Sequence, residues 1–372
     1  MKILYTNFHH GSGGGHFTYI NGLARAMAAR HEVSIASPAG SQLHAMAEAD
    51  PALHAFAIEF SNNFKRLSPA RRALAKILRD ERFDIVHVNG SPDHRLVMLA
   101  MAGMGRQRPR VVYTKHNNLP ISGLGASIRA RFATDRTLCI CTDSRRLLEA
   151  SPYANAGLSD VALGIDTDYF SPADARQIAE ARTALLPGLA PDTLVLGSNA
   201  GTSEYKGWLD LLQAISLLPF EQRNRLHVVL AGRPPRDDLL QRVDALGLRP
   251  QLTLTGLLAD VRPVLRAIDV GFVLSHREMA SFACREMMAM GKPVIVSEVG
   301  GLPELIEPGL HGWRVPPHAP EQIAAVLKEV LADPASIAVR GAAARERCVT
   351  NYSMETVVAR MESVYAALLE ER

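Results

Sequence analysis

Short runs of aliphatic and β-branched residues recur along the chain, separated by longer stretches of helical pattern. In the first half they read KILYT, VSIAS, DIVHVN, RVVYTKH and LCICTDS; in the second, LVLGSN, HVVLAG, LTLTG, VGFVLS and PVIVSE. Most are apolar throughout rather than alternating, which is the pattern of strands buried on both faces of a parallel sheet. Between them, FTYINGLARAMAAR sets Phe17, Ile20, Ala24, Met27 and Ala28 on one helical face. Strand and helix alternating in this way predict an α/β chain of two doubly wound, Rossmann-like domains. A length of 372 residues suits two cores better than one. The expected first domain covers 1–165 and the second 166–351, with GIDTDYFSPADARQ (164–177) as the hinge. The tail SMETVVARMESVYAALLEER predicts a terminal helix, about 352–372, packed back on the first domain.

Composition narrows the class. Hydrophobic residues at 47% and charged residues at 21% describe a soluble globular protein. The most membrane-like stretch, LVMLAMAGMG (96–105), is too short to span a bilayer and reads as a buried helix. The opening MKILYTNF lacks the length and flanks of a signal peptide. Cys139 and Cys141 alternate in TLCICTD without C-x-x-C spacing, and the four cysteines give no disulfide or zinc framework. A reducing cytoplasm is the expected location.

Net charge is +3, unevenly placed: residues 1–165 hold 20 Lys+Arg against 12 Asp+Glu, and residues 166–372 hold 21 against 26. The basic half points to an anionic partner, with nucleic acid, anionic lipid and acidic glycan as candidates. In FKRLSPARRALAKILRDERF (64–83) a helix is expected after Ser68, with Pro69 in its first turn. Ala70, Leu74, Ile77 and Leu78 form its apolar stripe. Arg72, Lys76 and Arg79 gather on a separate face, edged by Arg71 and Arg82. That face suits the surface of an anionic membrane, or is simply solvated.

Doubly wound sheets bind ligands outside the carboxyl ends of their strands, and two such domains facing each other make a cleft. Candidate chemistry is therefore expected in the loops that follow strands. HHGSGGGHF follows the first run, and Gly13, Gly14 and Gly15 allow backbone to approach a ligand at a helix start. It is no dinucleotide fingerprint, because His16 stands where the last glycine of G-x-G-x-x-G belongs. His9, His10 and His16 have no carboxylate or cysteine nearby in sequence, which argues against a metal. YTKHNN places Lys115, His116 and Asn117 at a strand end, where a histidine can bond a sugar hydroxyl or phosphate, or serve as a cap. In SNAGTSEYKGW, Lys206 can meet a phosphate as a point charge, or lie exposed. Asp166 and Asp168 form a D-x-D in the hinge, where helix capping is the simpler role.

The segment REMASFACREMMAMGKPVIVSEVGG carries the most chemistry. Ser281 is placed to cap a helix starting near Phe282 that Gly291 closes. Free amides at Ala280, Ser281 and Phe282 can hold a phosphate. Glu278 stands ahead of that site and Glu286 in the helix behind it. The pair suits a nucleotide-sugar, one carboxylate accepting from sugar hydroxyls and the other from ribose hydroxyls.

This segment resembles the E-x7-E motif of the family-4 retaining glycosyltransferases, which have the GT-B fold. Other landmarks of that family follow in order: GSGGGHF, DIVHVN, YTKHNN, GIDTDYF, YKGW, VVLAGRP and GKPVIVSEVGGLPELIEPGLHGWRVPP. The resemblance implies two Rossmann-like domains facing a cleft. It implies a nucleotide-sugar donor, UDP-linked by expectation, in the second domain and a glycan or lipid-linked acceptor in the first. It also implies retention of anomeric configuration, no cofactor and no essential metal. Glu278, His116 and Lys206 would be catalytic, with Glu286, Ala280, Ser281, Phe282, Gly14, Gly15 and Arg233 on the donor and His16, Lys115 and Asn117 on the acceptor. A hexosyl- or N-acetylhexosaminyltransferase of bacterial cell-surface polysaccharide or lipopolysaccharide synthesis is expected. It would be cytoplasmic or peripheral on the inner membrane face, and would not bind nucleic acid. Two departures stand out. The first glutamate is followed by MAS, so Met279 and Ser281 replace the family's glycines, and no arginine precedes Lys206. Arg277, Arg233 or Lys115 would have to substitute. The alternatives are a sugar-binding or scaffold protein with a decayed donor site, or another GT-B enzyme such as a nucleotide-sugar epimerase or a phosphorylase.

Overall fold

A computed structural model describes residues 1–11, 14–61 and 64–371. The chain divides into two units: Met1–Gly164 with Met354–Arg372, and Ile165–Ser353. In the first, strands β1 (Lys2–Thr6), β2 (Glu32–Ser37), β3 (Leu53–Ala57), β4 (Ile85–Val88), β5 (Arg110–Thr114), β6 (Arg136–Cys139) and β7 (Leu158–Asp160) form a parallel sheet ordered β3-β2-β1-β4-β5-β6-β7. In the second, β8 (Leu194–Ser198), β9 (Leu226–Ala231), β10 (Leu252–Gly256), β11 (Val270–Val273), β12 (Val294–Ser297) and β13 (Gly312–Val315) form a parallel sheet ordered β10-β9-β8-β11-β12-β13. Two α/β units, each doubly wound on a parallel sheet, are what the hydrophobic runs predict.

Three strands escape that pattern: β3, β7 and β13. Each lies at the edge of its sheet and carries exposed or half-buried positions. A continuous apolar run marks only strands covered on both faces, as β1, β4, β9, β11 and β12 are. In the second unit Trp208, Leu211, Leu212 and Leu327 belong to one buried cluster and Val264, Met287, Leu302 and Leu305 to another. In the first unit the helix Met354–Glu370 packs beside the helix Gly15–Ala28 and buries Val357, Met361, Tyr365 and Leu368.

The basic helix differs from expectation at its start. It spans Phe64–Glu81, so Pro69 lies inside it rather than at its first turn. As the sixth residue, Pro69 lies just past the four N–H groups that have no intrahelical partner, so its missing N–H costs one ladder bond near the helix start. Ala70, Leu74 and Leu78 are buried, Ile77 is half-buried, and Arg72, Lys76 and Arg79 are exposed. Lys76 is paired with Asp80 at 2.5 Å, which reduces the net charge of that face.

In both units the strand order reverses once, between β1 and β4 and between β8 and β11. Loops leaving the carboxyl ends of strands on either side of such a reversal diverge and leave a crevice. The candidate residues of each unit converge there.

Candidate active site

In the second unit, β8, β11 and β12 are neighbours, and the loops after them meet. Glu278 lies five residues beyond β11 and Lys206 eight beyond β8, yet Lys206 Nζ donates to Glu278 Oε2 at 2.9 Å. Both side chains are mostly buried, 17% and 14% exposed. Ser275 Oγ adds a longer bond to the same oxygen at 3.3 Å.

Two glycines make this approach possible. Gly207 has φ +69°, and a Cβ there would stand 1.9 Å from the Leu274 carbonyl oxygen. Only glycine lets the loop after β8 lie this close to the end of β11. Trp208, 1% exposed, anchors that loop by donating Nε1 to Thr202 O at 2.9 Å, and His276 N donates to Tyr205 O at 2.7 Å. On the other side Gly300, φ +55°, would put a Cβ 1.9 Å from the Glu278 carbonyl oxygen, while Gly301 N donates to Met279 O at 2.9 Å. The Glu278 loop is held between two glycine turns.

Ser281 caps the helix Phe282–Ala289 by accepting from Cys284 N at 3.1 Å. Ala280, Ser281 and Phe282 form its entrance. Glu286, half-buried one turn further on, accepts from Asn199 Nδ2 at the end of β8. Burial raises its carboxyl to about 7, against the opposing hydrogen bond from Asn199. No motif in the sequence marks Asn199; its one signal is its position right after an apolar strand.

A cavity of about 850 Å³ in this unit is lined by Tyr205, Asp210, Arg233, His276, Arg277 and His318 among others. Arg277 stacks on the Tyr205 ring at 4.8 Å, one residue from Lys206. Arg233 and Arg277 are therefore cationic neighbours of the Lys206 loop, whereas Lys115 belongs to the other unit. His276 Nε2 lies 2.8 Å from Asp210 Oδ2, and the imidazoles of His276 and His318 stack at 3.5 Å. Among the described residues these three come within metal-ligating reach, all three ligand atoms lying within 4.8 Å of one another. Their contacts are those of a hydrogen-bonded pair with a stacked ring. Asp166 accepts from the N–H groups of Asp168 and Tyr169 at 3.1 and 2.9 Å, which is the geometry of a turn cap.

In the first unit, His116 follows β5 and Asn89 follows the adjacent β4. Asn89 Nδ2 donates to Thr6 O at 3.0 Å, so its Oδ1 accepts from His116 Nε2 at 2.9 Å. His116 Nδ1 is then the basic nitrogen. Asp93 orders this arrangement: fully buried, it accepts from Asn89 N at 2.8 Å and Thr6 Oγ1 at 2.6 Å. Burial and the neighbouring histidines push His116 well below the ordinary histidine range, so it is neutral. His16 stacks 4.4 Å from it, and Tyr19 4.7 Å on another side. Burial lowers His16 to about 4. His87, of the D-x-V-H stretch, is buried between Tyr365 Oη and Thr114 Oγ1, both at 2.6 Å, and serves the core. Lys115 is buried and donates to Asn117 Oδ1 at 2.8 Å. Gly14, φ +90°, stands at the N-terminus of the helix Gly15–Ala28, and among the described residues nothing would come within 4 Å of a Cβ there or at Gly15. Gly13 lies outside the described residues.

Two family profiles match the chain: Glycosyltransferase Family 4 over residues 13–169, and Glycosyl transferases group 1 over residues 190–333. The chain belongs to glycosyltransferase family 4. A D-inositol 3-phosphate glycosyltransferase of Mycolicibacterium gilvum is 31% identical over 248 residues, 64% of this chain and 53% of the relative. The chain thus spans about half the length of such curated relatives. An N-acetyl-alpha-D-glucosaminyl L-malate synthase of Bacillus anthracis is 24% identical over 80% of this chain and 78% of its own. The crystal structure of HepE from Anabaena in complex with UDP-glucose superposes with a TM-score of 0.81 at 19% identity, covering 99% of this chain and all of the other. That likeness establishes the GT-B fold. Within this family-4 chain, the E-x7-E glutamates are the ones tied to Lys206 and Asn199.

Proposed function

We propose that the protein is a retaining glycosyltransferase that transfers a sugar from a nucleoside diphosphate donor to an acceptor hydroxyl. The observation that carries this is the Lys206–Glu278 pair at the entrance of a helix whose second turn holds Glu286. A diphosphate set against the amides of Ala280, Ser281 and Phe282 would place its developing charge beside Lys206. Glu278 then accepts from hydroxyls of the transferred sugar and Glu286 from those of the ribose. In the front-face route the bond from the anomeric carbon to the diphosphate oxygen breaks as the acceptor oxygen bonds to the same face. The acceptor proton passes to the leaving phosphate oxygen. No enzyme nucleophile and no metal is required, because lysine and amides carry the leaving-group charge.

UDP is the first base to test, since HepE was solved with UDP-glucose. His116, His16, Lys115 and Asn117 form the acceptor side, and the relatives' names, an inositol phosphate and a malate transferase, suggest small polar acceptors beside the glycans and lipid-linked sugars expected in cell-surface polysaccharide synthesis. Arg277 is the proposed replacement for the family arginine. Among the described residues no helix is long and apolar enough to cross a membrane; peripheral binding would use Arg72, Lys76 and Arg79.

The test is release of UDP, GDP or ADP from a panel of nucleotide-sugars, with and without acceptors, by wild type and Lys206→Met. Release by wild type that falls in the variant supports the reading. Nucleotide-sugar binding without release would favour a sugar-binding protein with a decayed donor site, to which Met279, Ser281 and the missing arginine point.

A further inference from the structure

The first unit contains a cavity of about 370 Å³ whose lining is unusual in charge. Lys115, Arg129, His9, His16, His116 and Asn117 line it, and among the described residues no Asp or Glu does. Lys115 is 3% exposed, and its ammonium has one acceptor among the described residues, the neutral Asn117 Oδ1. An ammonium has three protons to donate, and a buried cation without a counter-charge is costly unless something anionic meets it. Arg129 uses its Nε on Tyr153 Oη at 3.3 Å, leaving the rest of the guanidinium to other acceptors. Asp93 does not line the cavity: it is fully buried behind Gly90, and its Oδ2 accepts from Thr6 Oγ1 and Asn89 N. Beside the two cations stand His116, with its basic Nδ1, and His16, whose Nδ1 is buried without a partner among the described residues. Burial also lowers the Lys115 ammonium to about 8.

We propose that this cavity binds an acceptor carrying an oxyanion, a phosphate or carboxylate, held by Lys115 and Arg129 while its hydroxyl faces the His116 side. The proposal rests on the transferase reading for the word acceptor, but the oxyanion site stands on the cavity alone. It also sets a specificity rule: neutral sugars leave two cations unmatched in the pocket and are rejected relative to their phosphorylated or carboxylated counterparts.

The experiment titrates the full chain, saturated with UDP to fill the second unit, with inorganic phosphate and separately with malonate, by calorimetry. Wild type, Lys115→Met, Arg129→Met and the remote surface control Arg146→Met are compared, with folding checked by circular dichroism. The expected result is one site on wild type and the control, weakened roughly 10- to 100-fold in each of the other two variants, as loss of a charge-assisted contact requires. Tighter phosphate assigns a phosphate acceptor, and tighter malonate a carboxylate. Vesicles with phosphatidic acid form a third arm: pelleting lost in both pocket variants assigns a lipid-borne oxyanion, and absence of pelleting a soluble one. Equal binding by all four proteins, or none by wild type, overturns the proposal. Nucleotide-sugar binding and acceptor-free nucleotide release in the Lys206→Met assay report on the second unit, so failure of the transferase reading would show there while the phosphate titration still decided the pocket.

Discussion

Replacing Glu278 by glutamine is the most informative single change. The two side chains have the same shape, and the residue sits in a loop, so the backbone turns at Gly207 and Gly300 are untouched. What changes is the charge opposite Lys206. In the unliganded protein Glu278 Oε2 takes bonds from Lys206 Nζ at 2.9 Å and Ser275 Oγ at 3.3 Å. An amide oxygen can still accept both, but without the charge. A charge-assisted hydrogen bond contributes about 1.5–3 kcal/mol. The same loss applied to bonds from a sugar's hydroxyls in the transition state predicts a fall in kcat/KM of roughly 10- to 150-fold. Because Lys206 and Glu278 act on each other, Lys206→Met and the double variant should complete a cycle that is not additive, with coupling of about 0.5–3 kcal/mol. The assay is nucleotide release under kcat/KM conditions, with urea unfolding of each variant to separate folding from catalysis. Unchanged kcat/KM in Glu278→Gln would remove this carboxylate from the site. Strict additivity would mean that the pair breaks apart before the chemical step.

Four further outcomes are expected. With its carboxyl near 7 in the free protein, Glu286 must be ionised to accept ribose hydroxyls, so UDP affinity should fall as pH drops below about 7 and approach a tenfold loss per unit; Glu286→Gln should bind more weakly and lose that slope, read by calorimetry from pH 5.5 to 8. Gly207→Ala should cost more than the ~1–2 kcal/mol of an ordinary left-handed residue, because its methyl meets the Leu274 carbonyl; the drop in thermal midpoint should come with reduced nucleotide release. EDTA should leave turnover intact if Lys206 and the helix amides neutralise the diphosphate; loss restored by manganese would instead implicate Asp210, His276 and His318. Co-sedimentation with anionic liposomes should weaken in the triple Arg72/Lys76/Arg79→Ser variant, at about 1 kcal/mol per basic residue, with Lys76 contributing least because Asp80 already pairs with it; equal pelleting with neutral lipid would refute membrane steering.

What the sequence could and could not reveal follows from where each strand lies. β1, β4, β9, β11 and β12 are covered on both faces, so hydrophobicity alone marks them. β3, β7 and β13 are edge strands whose exposed positions erase the run, while the fourth edge strand, β10, half-buried throughout, is still marked by the alternation LTLTG. The site divides in the same manner. Lys206, Glu278 and Glu286 can be picked out because each stands after an apolar run or in a capped helix. That Lys206 meets Glu278 and Asn199 meets Glu286 could not be, since 72 and 87 residues separate the partners. Those contacts exist because a parallel sheet sets β8 beside β11 and delivers their loops to one end. Strand order is decided by how helices cover the faces, which no local spacing encodes. The same holds for Gly300: the pair of glycines in EVGGLPE reads as a turn, but the Glu278 carbonyl that forbids a side chain there comes from the neighbouring strand's loop. An E-x7-E motif is therefore half of a site. Its other half is supplied by whichever loop the reversal in strand order brings alongside, here the Asn199–Gly207 segment, and in that segment the missing arginine is the departure most able to alter which donor is accepted.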